Sequence, residues 1–206
     1  MKPNEPKRLG SQKAFVLLML IFLPLLCFGQ PDHWIKCNKA LWNYIEKPTH
    51  ENSLKAYELL PHNLNGGSFP AGKTSDSIWL AAAKLDSMML LGSRVALRIE
   101  FRLFTIADGE YAEGLDFTMG KLINKYPLLF LQELKNHRDL ISRLGNLVCF
   151  IGLDYVDNAK LALIEIDNRI RSLSKINDAA LINTRDECIK ELKNHRKIFE
   201  EMEKEK

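Results

Sequence analysis

Apolar residues at spacings of three and four run through nearly the whole of this 206-residue chain, interrupted at short intervals by Pro, Gly or Asp. That spacing lines up side chains on one stripe of an α-helix, whereas a strand would need alternation with a period of two. Within 33–47, Trp34, Cys37, Leu41 and Ile45 form one such stripe, which stops at Pro48. Thr49 suits the cap of a second helix with Leu54, Tyr57 and Leu60 inward, closed by Pro61. Residues 62–75 (HNLNGGSFPAGKTS) are the one long run of turn formers and read as a loop. Asp76 then opens a strongly apolar helix over 77–91 through Trp79, Leu80, Ala83, Met88 and Leu91, and after Gly92 another covers 94–107.

The second half continues the pattern. Asp108 and Gly109 punctuate the chain, and the next helix carries Glu110, Glu113 and Asp116 near its start, where acids suit the positive end of the helix dipole. Leu115, Met119, Leu122 and Ile123 point inward from it. Pro127 stands where a first-turn proline belongs, opening a helix over 128–137. Asp139 is placed to cap a helix that runs to Gly152, Asp154 one that ends near Leu173, and Asp178 a long last helix through Leu181, Cys188, Leu192 and Phe199. About nine helices with short breaks predict antiparallel neighbours, and so an all-α domain over 30–206. Helices opening near Asp76, Gly109 and Asp139 lie 33 and then 30 residues apart, each followed by a second helix. That period resembles the stacked hairpins of HEAT and armadillo repeats over about residues 76–173; an irregular helical bundle is the other reading. The resemblance implies a short α-solenoid whose role is non-enzymatic protein binding. The hexapeptide ELKNHR occurs at 133–138 and again at 191–196; its flanks do not align, so it reads as two similar solvent-facing helix surfaces.

Charge separates one end from the rest. Lys and Arg number 29 against 26 Asp and Glu, a formal net charge of +3. Lys2, Lys7, Arg8 and Lys13, against Glu5 alone, account for all of it, and the remainder of the chain is neutral. A neutral body argues against nucleic acid, whose binding requires excess cations to displace phosphate counterions. The basic stretch precedes an apolar run over 14–28 (AFVLLMLIFLPLLCF), broken by Pro24 and shorter than the roughly 20 residues a spanning helix needs. Small residues at Cys27 and Gly29 complete the layout of a secretory signal peptide over 1–29, cleaved after Gly29, which predicts a periplasmic or secreted protein with no stable membrane span after cleavage. Cys37, Cys149 and Cys188 then remain, enough for one bridge at most. Cys149 with Cys188 is the pair to test, against the reading of Cys149 as a small core residue.

Two groups of residues invite a functional reading. Residues 67–74 (GSFPAGKT) match the phosphate-binding loop pattern, in which backbone N–H groups around Gly67 and Gly72 would cradle phosphates, Lys73 reach the outer ones and Thr74 ligate magnesium. That predicts, as the alternative function, a nucleotide-binding enzyme. Its flanks argue against it: 53–60 reads as helix where such a loop follows a buried strand, and 148–154 (VCFIGLD), the only candidate metal-binding strand, keeps helical rhythm. The second group is Arg94, Arg98 and Arg102, at i, i+4 and i+8 on one helix face. They read either as an ion-pair ladder with Glu113 and Asp116 of the following helix or as a surface for an acidic protein partner. His33, His50, His62, His137 and His195 lack metal-ligand spacing, no nucleophile elbow occurs, and no cofactor is implied. Trp34, Trp42 and Trp79 fall in apolar stripes and read as core. The expectation is an exported, non-enzymatic interaction module (scaffold, inhibitor or immunity-type binder) acting on another protein.

Overall fold

A computed structural model describes residues 30–61, 69–107, 109–152, 155 and 158–205. The signal peptide assigned to 1–29 and the first half of the loop assigned to 62–75 therefore lie outside the described residues. Among those residues the chain is all-α, with nine α-helices, one 3-10 turn and no strand. The helices are α1 (Gln30–Glu46), α2 (His50–Leu59), α3 (Lys73–Leu90), α4 (Arg94–Phe104), α5 (Gly109–Lys125), α6 (Pro127–Asn136), α7 (Leu144–Cys149), α8 (Ala159–Ser174) and α9 (Ile182–Lys204). None is long and apolar enough to cross a membrane.

The punctuation works as the side chains require. Thr49 Oγ1 accepts from the Asn52 N–H at 3.3 Å, and Leu60, ahead of Pro61, is extended as a residue before proline must be. Pro127 is the first residue of α6, where its missing N–H costs nothing. Helix α3 starts at Lys73, ahead of the expected Asp76, so the loop is shorter than 62–75. Gly72 caps it at φ +62°, a left-handed conformation that glycine adopts without strain. Its buried stripe is Ile78, Trp79, Ala81, Ala82, Leu85 and Met89, which leaves Leu80, Ala83 and Leu91 facing out, contrary to expectation. Leu54, also expected inward, is 45% exposed, and Ser53 and Ala56 take its place against the core.

Three acids do not cap where the spacing placed them. Asp139 falls in the 3-10 turn Arg138–Leu140, and α7 that follows is only six residues long. Asn158, whose Oδ1 accepts from the Leu161 N–H at 3.1 Å, caps α8; Asp154 is outside the described residues. Asp178 shapes the turn before α9 by accepting from the Ala180 N–H at 2.9 Å. Consequently the single helix expected to open at Asp139 is replaced by the turn and α7.

The packing order is regular. Helices pair in sequence as α1 with α2, α3 with α4, α5 with α6 and α8 with α9. Successive pairs rest on each other in register, α1 and α5 on either side of α3, α2 and α6 on either side of α4, and α8 and α9 on α5 and α6. Helix α7 wedges between α5 and α9. One continuous core threads the stack, from Trp34 and Leu41 through Ile99, Phe101 and Met119 to Leu173 and Leu192. Trp79 belongs to that core, and Trp42, half-buried, donates its indole N–H to Ser77 Oγ at 3.0 Å. Cys37, Cys149 and Cys188 are all free and buried, so the Cys149 to Cys188 bridge is absent. Burial pushes their thiols up to about 11, 12 and 12, which leaves them protonated and inert.

Candidate functional site

The arginine face belongs to α4, and the start of that helix sets its direction. Ser93 Oγ accepts from the Ala96 N–H at 3.2 Å, and from that first turn Ala96, Leu97, Ile99, Phe101 and Leu103 enter the core. Arg94 and Arg98 are left at the edge facing α6, each side chain 44% exposed. Both turn onto one carboxylate. Arg94 Nη1 donates to Glu133 Oε1 at 2.6 Å, and Arg98 Nε donates to Oε2 at 2.7 Å with its Nη2 on Oε1 at 3.2 Å. Arg94 Nη2 also donates to Gln132 Oε1 at 2.5 Å. The ladder thus forms, with Glu133 of α6 as its acceptor in place of Glu113 and Asp116.

Glu133 has no exposed surface. Burial by itself would raise its pKa, but the hydrogen bonds and charges of Arg98 and Arg94 outweigh that and hold it below the usual carboxylate range. Arg102, one turn on, leaves the surface altogether: it is 5% exposed, and its guanidinium carbon lies 4.5 Å from the centre of the Tyr57 ring. Its Nε and Nη1 have no hydrogen-bond partner among the described residues. His137 joins the two halves. A carbonyl oxygen only accepts, so His137 Nδ1 carries the proton it shares with Glu133 O at 2.9 Å, and Nε2 lies 3.2 Å from the Tyr57 hydroxyl. Its ring stacks on Phe101 with centroids 5.5 Å apart.

Over this network runs a groove of about 330 Å³ between α2 and α6, bordered by His50, Leu54, Tyr57, Val95, Arg98 and His137. Arg98 borders it and Arg102 lies beneath its Tyr57 wall, and among the described residues Glu133 is the only carboxylate within ion-pair distance of Arg94, Arg98 or Arg102. The expected solvent-facing reading of 133–138 is therefore wrong for the first ELKNHR copy, whose Glu133 and His137 are both buried. A signal for them was present: Phe130, Glu133, Leu134 and His137 occupy i, i+3, i+4 and i+7 of one stripe, and polar residues on an apolar stripe are buried ones.

The nucleotide reading fares differently. Gly67 lies outside the described residues. Gly72, Lys73 and Thr74 open α3, but the element before the loop is helix α2, and Val148 belongs to α7. No strand among the described residues offers the buried edge from which a phosphate loop springs. Nor does any group of three or more His, Cys, Asp or Glu among them stand ready for a metal ion. Glu113 is exposed on α5, while Asp116 is buried facing α7, away from the arginines.

No family model, curated protein or solved structure matches the chain. Fold and site together define its class: among the described residues, an all-helical protein whose consecutive helices pair, with Arg98 at the edge of a groove between α2 and α6.

Proposed function

We propose that the protein is an exported, non-enzymatic interaction module, HEAT-like in architecture, whose α2–α4–α6 groove receives an acidic segment of a partner protein. One observation carries the reading: three arginines on a single helix are answered by a single carboxylate, with Arg94 and Arg98 half-exposed and Arg98 at the groove mouth. Glu133 pre-orients Arg94 and Arg98, so their ordering cost is met before a partner arrives. Exposed Leu54 on the rim gives an apolar residue beside an acid somewhere to rest. Stacked hairpins offer such grooves along their length, which suits a scaffold, inhibitor or immunity-type binder. Export rests on the basic, apolar and small-residue layout of 1–29.

The test uses protein purified after expression of the full chain, with fluorescent peptides carrying paired Glu and Leu residues and their Gln counterparts. Acidic peptides should bind and weaken as salt rises, since exposed charges are screened. Arg98→Gln leaves Glu133 held by Arg94 but takes the donor from its Oε2, so it should lower the melting temperature and also weaken binding about tenfold, the worth of one charged hydrogen bond. Equal binding of Glu and Gln peptides, or lost stability without lost binding, returns the arginines to a purely structural role.

A further inference from the structure

A second hollow, on the far side of α5 from the arginines, has opposite chemistry. It lies between α5, α7 and α9, with a volume of about 670 Å³, inside the range of small-molecule sites. Cys149, Phe150, Ile151, Ile198 and Phe199 give it apolar walls. Its polar groups are Glu113 and Asp116 from α5, Asn146 from α7, and Glu191, Asn194 and His195 from α9. Among the described residues no Lys or Arg lines it. An adjoining hollow shares Ala112, Asp116 and Asn146 with it and adds Asp139 and Arg143.

Asp116 stands where the two hollows meet, 5% exposed, and its Oδ1 has no hydrogen-bond partner among the described residues. A buried, unpartnered carboxylate oxygen costs a few kcal/mol relative to one that is bonded, and a cationic donor at this carboxyl offsets that cost. We propose that this cleft binds an alkyl ammonium group, its nitrogen on Asp116 and its aliphatic stem against Ile151, Ile198 and Phe199. The charges support a cation over an anion. Glu113 and Glu191 add negative charge; Arg143 borders the second hollow and not the first, and Arg169, behind the Phe150 wall, is itself paired with Glu165. His195 contributes no competing charge near neutral pH, because burial and then Arg169 push its pKa down. Burial, with Glu113 adding to it, pushes Asp116 up to about 7, so the empty site holds a proton that an ammonium displaces. The exchange balances: the amine enters as its cation, the carboxyl releases one proton to solvent, and no covalent bond forms in the ligand. The ammonium can belong to a free amine or to a lysine side chain of a protein, since the stem and head are the same.

The probe is hexylammonium, titrated calorimetrically into protein purified after full-chain expression, with hexanol and hexanoate as controls. Hexylammonium should bind and the controls should not. Near pH 6 the apparent enthalpy should change with the ionisation enthalpy of the buffer, reporting proton release, and affinity should rise toward about pH 8 as Asp116 ionises. Asp116→Asn keeps the shape and should weaken binding at least about tenfold and abolish the buffer dependence. Ile198→Trp, at a half-exposed position, should block the slot while leaving Asp116 in place. Competition by a lysine tripeptide with blocked termini assigns the site to protein side chains, and its absence assigns it to free amines; both outcomes support the proposal. Equal binding of hexanol, unchanged affinity in Asp116→Asn, or no binding of hexylammonium at all would overturn it. Arg98→Gln should leave this binding untouched, which separates the proposal from the groove on α4.

Discussion

Glu100 and Glu133 both have zero exposure, yet their surroundings drive them to opposite states. Two arginines keep Glu133 ionised, whereas Glu100 has neither oxygen hydrogen-bonded among the described residues. Burial first, and then Asp86, push Glu100 well above its usual range. Burial likewise takes Asp86 up to about 6 and Asp116 to about 7. These three acids hold protons in the folded chain that the unfolded chain has already lost, so between about pH 4 and pH 7 acidification stabilises the fold. His195, with its lowered pKa, works the other way, one group against three. Urea titrations should show stability rising by on the order of 2 kcal/mol from about pH 8 to about pH 5. Below that, Glu133 reverses the sign, because its depressed pKa means the stability it contributes is lost as pH falls through that value. Glu100→Met replaces an unpartnered acid with an apolar side chain of similar length, and should raise stability at pH 8 by about 1–2 kcal/mol and flatten the rise toward acid. A flat wild-type profile would mean that these acids find partners in solution. Sequence alone exposed half of this: the arginine face on α4 was legible from spacing. The partner was not, because any acid on any neighbouring helix satisfies a spacing argument, and burial rather than distance along the chain selected Glu133.

Among the elements, α7 is the one whose length needs outside help. At six residues it is too short to persist alone, and its end is tied down from α8. Arg169, 1% exposed, donates from Nη1 to the carbonyls of Val148 and Phe150 at 2.8 and 2.9 Å and from Nε to Glu165 Oε1 at 3.0 Å. Gly120 makes room for it, since a Cβ there would collide with the guanidinium. This produces a prediction against the usual direction. Alanine in place of glycine within a helix gains about 1 kcal/mol of propensity, but Gly120→Ala would displace a buried cation serving three acceptors. Gly120→Ala should therefore lower the melting temperature, and Arg169→Met should cost about 3 kcal/mol by leaving those acceptors unpaired in the interior. A stabilised Gly120→Ala variant would show that Arg169 has another place to go. The spacing of Leu140, Leu144, Leu147 and Ile151 suggested one unbroken helix, and those positions are indeed buried or half-buried. Periodicity reports which residues face inward. It cannot report that a 3-10 turn and an arginine from another helix complete the surface.

Across the whole molecule, the order of helix packing makes stability local. The α1–α2 pair rests on α3 and α4, and none of its principal packing partners lies beyond them. In a stack of that kind each unit is stabilised by its own packing and by the neighbour it covers, so an end unit can open while the rest holds. Leu41 tests this, being wholly buried in α1 among Trp34, Cys37 and Tyr44. Leu41→Ala should cost about 2–5 kcal/mol through lost burial and the cavity left behind. If the stack behaves as nearest-neighbour units, hydrogen exchange should speed up in α1 and α2 by a large factor, less in α3 and α4, and hardly at all in α8 and α9. A bundle with one indivisible core would instead lose protection evenly from end to end. The two outcomes also bear on function. A cationic groove formed by α2, α4 and α6 would lose its α2 wall whenever the first hairpin opens, so Leu41→Ala should weaken acidic-peptide binding without any change to an arginine. It should leave hexylammonium binding between α5, α7 and α9 as it was. Loss at both sites together would mean that the molecule opens only as a whole.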